Sequence, residues 1–175
     1  MCGIAGWYGS RRSQDSAALL KNMLGAVVHR GPDDEGQYIE GPVALGIRRL
    51  SIMDVQGGHQ PIPNEDRTVW VVFNGEIYNF PELRSELEAK GHVFTTHSDT
   101  EVIVHGYEEW GDDCLARLNG IFGLAIWDSH RRRLLLARDP FGVKPLYYHD
   151  DGERLAWASE IKALLVDSTD RKSVV

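Results

Sequence analysis

The chain offers little that would cross-link it or place it in a membrane. Only two cysteines, Cys2 and Cys114, occur in its 175 residues, whereas a small disulfide-built secreted domain carries several pairs. No apolar run approaches the roughly 18–20 residues of a membrane span, and no basic stretch followed by an apolar one opens the sequence. These absences set the expectation of a reduced, cytoplasmic protein with no membrane partner. Positive charge is short as well. Against 26 Asp and Glu there are 19 Lys and Arg, a net charge of −7, which disfavours nucleic acid as a partner. The one basic cluster, Arg131-Arg132-Arg133, follows Asp128-Ser129-His130 and reads as a solvated hairpin tip. No Gly-x-x-x-x-Gly-Lys-Ser/Thr loop and no Gly-x-Gly-x-x-Gly after a strand is present, so ATP and dinucleotides have no visible site. The seven histidines are scattered without ligand spacing, and no metal is expected.

What is present describes an ordinary globular domain: 42% hydrophobic and 26% charged residues over a length able to bury a real core. Cys114, between Asp113 and Leu115 in a helical stretch, reads as a structural thiol. Cys2 is different. Removal of Met1 would leave it with a thiol and a free α-amine on one residue. An α-amine has a pKa of roughly 7.7–8 and can accept a proton near neutrality, while a thiol at about 8.5 is close to forming its thiolate. The alternative is an ordinary thiol near a chain end.

Cys2 to Tyr8 reads as a short strand that would hold Cys2 at a sheet end. Leu20, Met23, Leu24, Val27 and Val28 keep helical spacing, with Ser13 or Asp15 as N-cap, and Gly31-Pro32 stops that helix. Val43–Ile52 and Thr68–Phe73 are β-rich runs. Asn79 and Pro81 start a helix that ends at Gly91, with Glu86 and Lys90 as a surface pair. A further helix is predicted from Asp99 to Trp110. Strands are expected at Ile121–Trp127, Leu134–Arg138, Leu146–His149 and Leu155–Ala158, then a helix over Glu160–Leu165. The fold class is α+β, with more half-apolar strands than one layer can bury. Residues 1–166 form one domain, and 167–175 read as a polar tail or the beginning of a linker.

Amide hydrolysis needs a nucleophile, a base and donors for an oxyanion. Asn74-Gly75 follows the strand Trp70–Phe73 and offers a side-chain NH2 and a backbone N–H, although Asn-Gly is also the commonest tight-turn signal. Arg49 suits a substrate carboxylate, with Arg48 on the opposite face if the segment is extended. Glu76 and Asp99 can each hold an ammonium, and Asp99 is equally a natural helix N-cap. His29 and Arg30 can orient the N-terminal amine or cap the preceding helix.

Met1-Cys2-Gly3-Ile4, His29–Asp33, Arg49–Ile52, Asn74–Asn79, Ser98–Glu101, Arg138–Tyr148 and Ser159–Leu164 together resemble the class II glutamine amidotransferases. Among these, the Asn-Gly-Glu-Ile-Tyr-Asn wording is similar to the N-terminal glutaminase domain of glutamine-hydrolysing asparagine synthetases. The resemblance implies an N-terminal-nucleophile hydrolase fold, a four-layer αββα arrangement with two stacked antiparallel sheets. It also implies Cys2 as nucleophile and base donor, Asn74 and Gly75 as oxyanion hole, Arg49 on the carboxylate of L-glutamine, Glu76 and Asp99 on its amino end, and backbone near Ile52 lining the pocket. Asparagine synthetases carry an ATP-dependent domain with a Ser-Gly-Gly-x-Asp-Ser loop, which these residues do not contain. ATP and magnesium are thus implied only for a synthetase partner domain or subunit, and a homodimer is a candidate assembly. The alternatives are a non-catalytic glutamine-binding module or a synthetase fragment.

Overall fold

A computed structural model describes residues 1–9, 16–52, 54 and 57–166. The expected caps Ser13 and Asp15 and the 167–175 tail lie outside these residues. One sheet contains β1 (Gly3–Gly9), β2 (Asp34–Glu40), β3 (Val43–Arg49), β8 (Tyr147–Asp150) and β9 (Arg154–Ala158), in the order β2-β3-β1-β9-β8. The other contains β4 (Ile62–Pro63), β5 (Val69–Ile77), β6 (Gly120–Asp128) and β7 (Arg133–Arg138) in sequential order. Every pairing is antiparallel.

Alternation along β5 and β6 explains the layering. Val72, Ala125 and Trp127 join Ile4, Leu45, Ile47 and Trp157 of the first sheet in one core, so the two sheets face each other. Val71, Phe73, Ile77, Phe122, Leu124 and Ile126 point the other way, onto α2 (Phe80–Ala89) and α3 (Glu101–Trp110). The outer face of the first sheet packs on α1 (Ser16–Ala26) and α5 (Ile161–Leu164), through Leu20, Leu24 and Ala163. The result is four layers, helix–sheet–sheet–helix. Both faces of each sheet are covered, which is why these strands read as nearly continuous apolar runs. No helix among the described residues is long and apolar enough to cross a membrane.

Three sequence expectations change. Asn74-Gly75 is not a turn: both residues lie inside β5, opposite Gly123 and Phe122 of β6. Strand β2 was not anticipated, because Asp34-Glu35-Gly36-Gln37 offers no apolar alternation, and as an edge strand it buries only Gly36. The Glu86–Lys90 pair does not form. Glu86 meets Arg117 of α4 (Cys114–Arg117) at 3.1 Å and Lys90 meets Glu109 of α3 at 2.8 Å, so tertiary partners displace the local one. The i,i+4 pair on α2 is instead Arg84–Glu88. Cys114 is buried, as a structural thiol should be, and burial pushes it up to about 12. Arg131 and Arg132 occupy the exposed tip between β6 and β7.

Candidate active site

Cys2 immediately precedes β1, and two clamps fix its backbone. Ile4 N donates to Ser159 Oγ at 3.0 Å while Ser159 N donates to Ile4 O at 2.8 Å, which ties the start of β1 to the end of β9. Arg30 Nε donates to the Cys2 carbonyl at 2.9 Å, and Arg30 is itself held by Glu160 Oε1 at 3.1 Å. Arg30 therefore grips the carbonyl of Cys2 rather than its amine, and His29 serves Glu160, at 2.9 Å. Burial opposes ionisation of Glu160, but Arg30, Lys162 and His29 together hold it down to about 2. Sequence reasoning missed Glu160, since 130 residues separate it from Arg30. Glu160→Ala is expected to lower kcat by about 10- to 100-fold through loss of nucleophile placement. KM should change little and stability should fall by no more than about 1 kcal/mol, as for a partly exposed ion pair. Steady-state kinetics beside a thermal melt check this.

A cavity of about 160 Å³ opens beside Cys2, lined among others by Arg49, Asn74, Gly75, Glu76 and Asp99. Ile52 lies at its edge with its side chain 69% exposed. All seven residues singled out from the sequence thus meet at one place. Asn74 is on the sheet-facing side of β5, two residues after Val72, and so points into the space between the layers. It is fully buried, yet neither its amide nitrogen nor its amide oxygen has a hydrogen-bond partner. An orphaned buried amide costs about 1–3 kcal/mol, and here it borders a cavity. At Gly75 a Cβ would come within 2.2 Å of Ile121 O, so the close approach of β6 demands glycine.

The charges divide by position. Arg49 is buried at the end of β3 and donates to the Asp54 carbonyl at 2.7 Å. Arg48 pairs with Glu35, away from the cavity lining, as alternation predicts. Asp99 precedes α3 by two residues and accepts from Ile77 N at 2.8 Å, so its carboxylate joins β5 instead of capping the helix. Burial, joined by the neighbouring Glu76 charge, raises Asp99 to about 6 despite the Ile77 hydrogen bond. Lys144, overlooked in the sequence, also lines the cavity, on a turn organised by Asp139, which accepts from Val143 N at 2.9 Å and Lys144 N at 3.0 Å.

Burial lifts the Cys2 thiol above its ordinary value, although the Leu50 carbonyl at 3.9 Å, the chain-terminal ammonium and Arg49 pull the other way. Met1 is attached here and lines the cavity, so the Cys2 nitrogen is an amide without basic character. The arrangement combines a thiol, an orphaned amide, a cation and two carboxylates, which suits a zwitterionic amino acid carrying a polar side chain.

The sequence profile described as a glutamine amidotransferase domain matches residues 1–174. The chain is 46% identical over 173 residues to glutamine-hydrolysing asparagine synthetase 1 of Bacillus subtilis, covering 97% of this chain and 27% of that protein. It is 47% identical over 167 residues to asparagine synthetase 2 of the same organism, covering 94% and 22%. It thus spans about a quarter of the length of these relatives. Among solved structures, glutamine phosphoribosylpyrophosphate amidotransferase from B. subtilis superposes with a TM-score of 0.77 at 22% identity, over 94% of this chain and 43% of that one. That likeness shows the fold, two stacked antiparallel sheets between helical layers. By its sequence, this chain belongs to the glutamine amidotransferase domain family.

Proposed function

We propose that the cavity hydrolyses the side-chain amide of L-glutamine and that the ammonia serves an ATP-dependent synthetase domain of the asparagine synthetase type. The observation that carries this reading is the buried, unpartnered Asn74 amide on the same cavity as the Cys2 thiol.

Once Met1 is removed, the Cys2 α-amine accepts the thiol proton, through one water because direct transfer within a residue is cramped. The thiolate adds to the side-chain carbonyl carbon. The oxyanion is held by the Asn74 NH2 and the Gly75 N–H, and the ammonium of Cys2 returns its proton to the departing ammonia. Water then adds to the thioester, and glutamate leaves. Arg49 takes the substrate carboxylate, and Glu76 and Asp99 take its ammonium. Simple amides lack the carboxylate and ammonium that these groups take and forfeit those contacts. Arg49→Ala should raise KM by about 100-fold or more while sparing kcat, because it removes binding common to ground and transition states. The Met1-retaining form should be inactive.

ATP and magnesium belong to the acceptor chemistry and have no role in these steps. Phe141, 92% exposed, with Val143 and Tyr148 makes an apolar rim next to the Lys144 turn, where a synthetase domain would cover it. An electrophilic glutamine analogue tests the site: peptide mass mapping should place the adduct on Cys2, with protection by glutamine. Labelling of Cys114, or labelling that glutamine does not slow, would contradict the assignment.

A further inference from the structure

A second cluster lies on the far side of α3. His105 and Glu108, three residues apart on that helix, share a face with His92, just past α2, and Glu65, just past β4. One ligand atom from each of the four lies within 4.8 Å of all the others. His105 Nδ1 is 3.3 Å from Glu65 Oε2, and His92 Nδ1 is 3.5 Å from Glu65 Oε1 and 3.7 Å from Glu108 Oε2. Charge-assisted hydrogen bonds run shorter, about 2.7–2.9 Å. Metal bonds of about 2.0–2.1 Å in a tetrahedron instead put ligand atoms about 3.4 Å apart.

The tautomer of His105 adds an independent argument. Its ring is 1% exposed, and Nε2 faces Glu101 Oε1 with hydrogen-bond geometry. Glu101 is fixed in turn by the backbone N–H and hydroxyl groups of Thr95 and Thr96. With Nε2 turned to Glu101, Nδ1 is left buried and without a hydrogen-bond partner, 3.3 Å from the Glu65 carboxylate. The buried ring nitrogen and the half-exposed carboxylate need a positive charge between them, a proton on the ring or a metal cation. His92 repeats the pattern: Nδ1 faces the cluster, while Nε2 faces Glu109, itself held by Lys90. An imidazole whose outer nitrogen is held by a carboxylate is the usual partner arrangement of a metal-bound histidine. Two carboxylates and two neutral imidazoles balance a divalent ion.

We propose that Glu65, His92, His105 and Glu108 form a tetrahedral site for a divalent transition-metal cation of the zinc class. The spacing 65, 92, 105, 108 matches no linear ligand pattern, which is why the histidines look scattered in the sequence. The cation would tie the end of α2 and the β4 turn to α3, the helix preceded by Asp99 and Thr100 at the cavity, and its role there is structural.

The test uses the whole chain carrying Cys2→Ala, which removes the one accessible thiol, after stripping with a chelator. Calorimetry with Zn2+ should give one equivalent bound with sub-micromolar Kd, and Co2+ should give the intense visible bands of tetrahedral coordination. Glu108→Gln and His92→Gln alter partly exposed side chains, so both variants should fold. Each should weaken Zn2+ binding by at least about tenfold. Absence of stoichiometric uptake, an octahedral cobalt spectrum, or unchanged affinity in both variants would overturn the proposal, the cluster then being ion pairs of protonated histidines.

Discussion

Asn74→Ala should lower kcat for glutamine hydrolysis by about 10²–10³, the usual cost of deleting one oxyanion donor, with KM nearly unchanged. The same substitution should leave the fold no less stable than the parent. Asn74 is fully buried with both amide atoms unpartnered, so its removal relieves a desolvation penalty of about 1–3 kcal/mol. The void left behind merges with an existing cavity lined by Arg49 and Asp99, which limits the packing loss. A residue whose deletion slows the reaction without weakening the protein is held in place for the reaction. Kinetics and thermal melts on one preparation decide the matter. If activity fell only in proportion to stability, Asn74 would be a packing residue and the oxyanion assignment would be lost.

The second large effect concerns Asp99. Its carboxyl sits at about 6 because it is buried and because Glu76 is close. Ionised Asp99 is therefore disfavoured in the folded, empty protein relative to the unfolded chain, where its value is about 3.9. Between roughly pH 4 and 6 the folded state binds more protons, so this group's contribution to stability falls as pH rises through that window. Two units at about 1.4 kcal/mol each amount to about 3 kcal/mol of strain at neutral pH. Asp99→Asn keeps an acceptor for Ile77 N and removes the charge, so it should stabilise the empty chain by about 1–3 kcal/mol at pH 7 and have no such effect near pH 4. Glutamine affinity should meanwhile fall by at least about 100-fold, the loss of a charge-assisted contact to the ammonium of the substrate. In the parent, binding draws the proton off Asp99, so affinity should decline by about tenfold per pH unit below 6. Calorimetry with Cys2→Ala protein in buffers of different ionisation enthalpy should register that proton release. Affinity independent of pH between 5 and 7 would place the ammonium elsewhere.

Much of this was legible in the chain because it is written locally. β-rich apolar runs located β5 and β6, and Asn79-Pro81 located α2, although Asn79 spends its side chain on Arg117 O and Asn119 N across the fold instead of capping. What escaped depends on partners distant in sequence. The Asn-Gly pair signals a turn on its own, and only pairing with β6 makes it a strand interior. The edge strand β2 is polar because little of it is buried. Glu160, Lys144 and the Glu65–His92–His105–Glu108 cluster acquire meaning from contacts that no spacing encodes.

The central claim is that Cys2, freed of Met1, is the nucleophile of a glutaminase. Its most direct test is glutamate release from glutamine by the purified chain, with removal of Met1 confirmed by intact mass and a Cys2→Ala control beside it. Release by the processed chain that disappears in the control is the predicted result. Equal release by both, or none from a folded, processed chain that still binds glutamine, would contradict it.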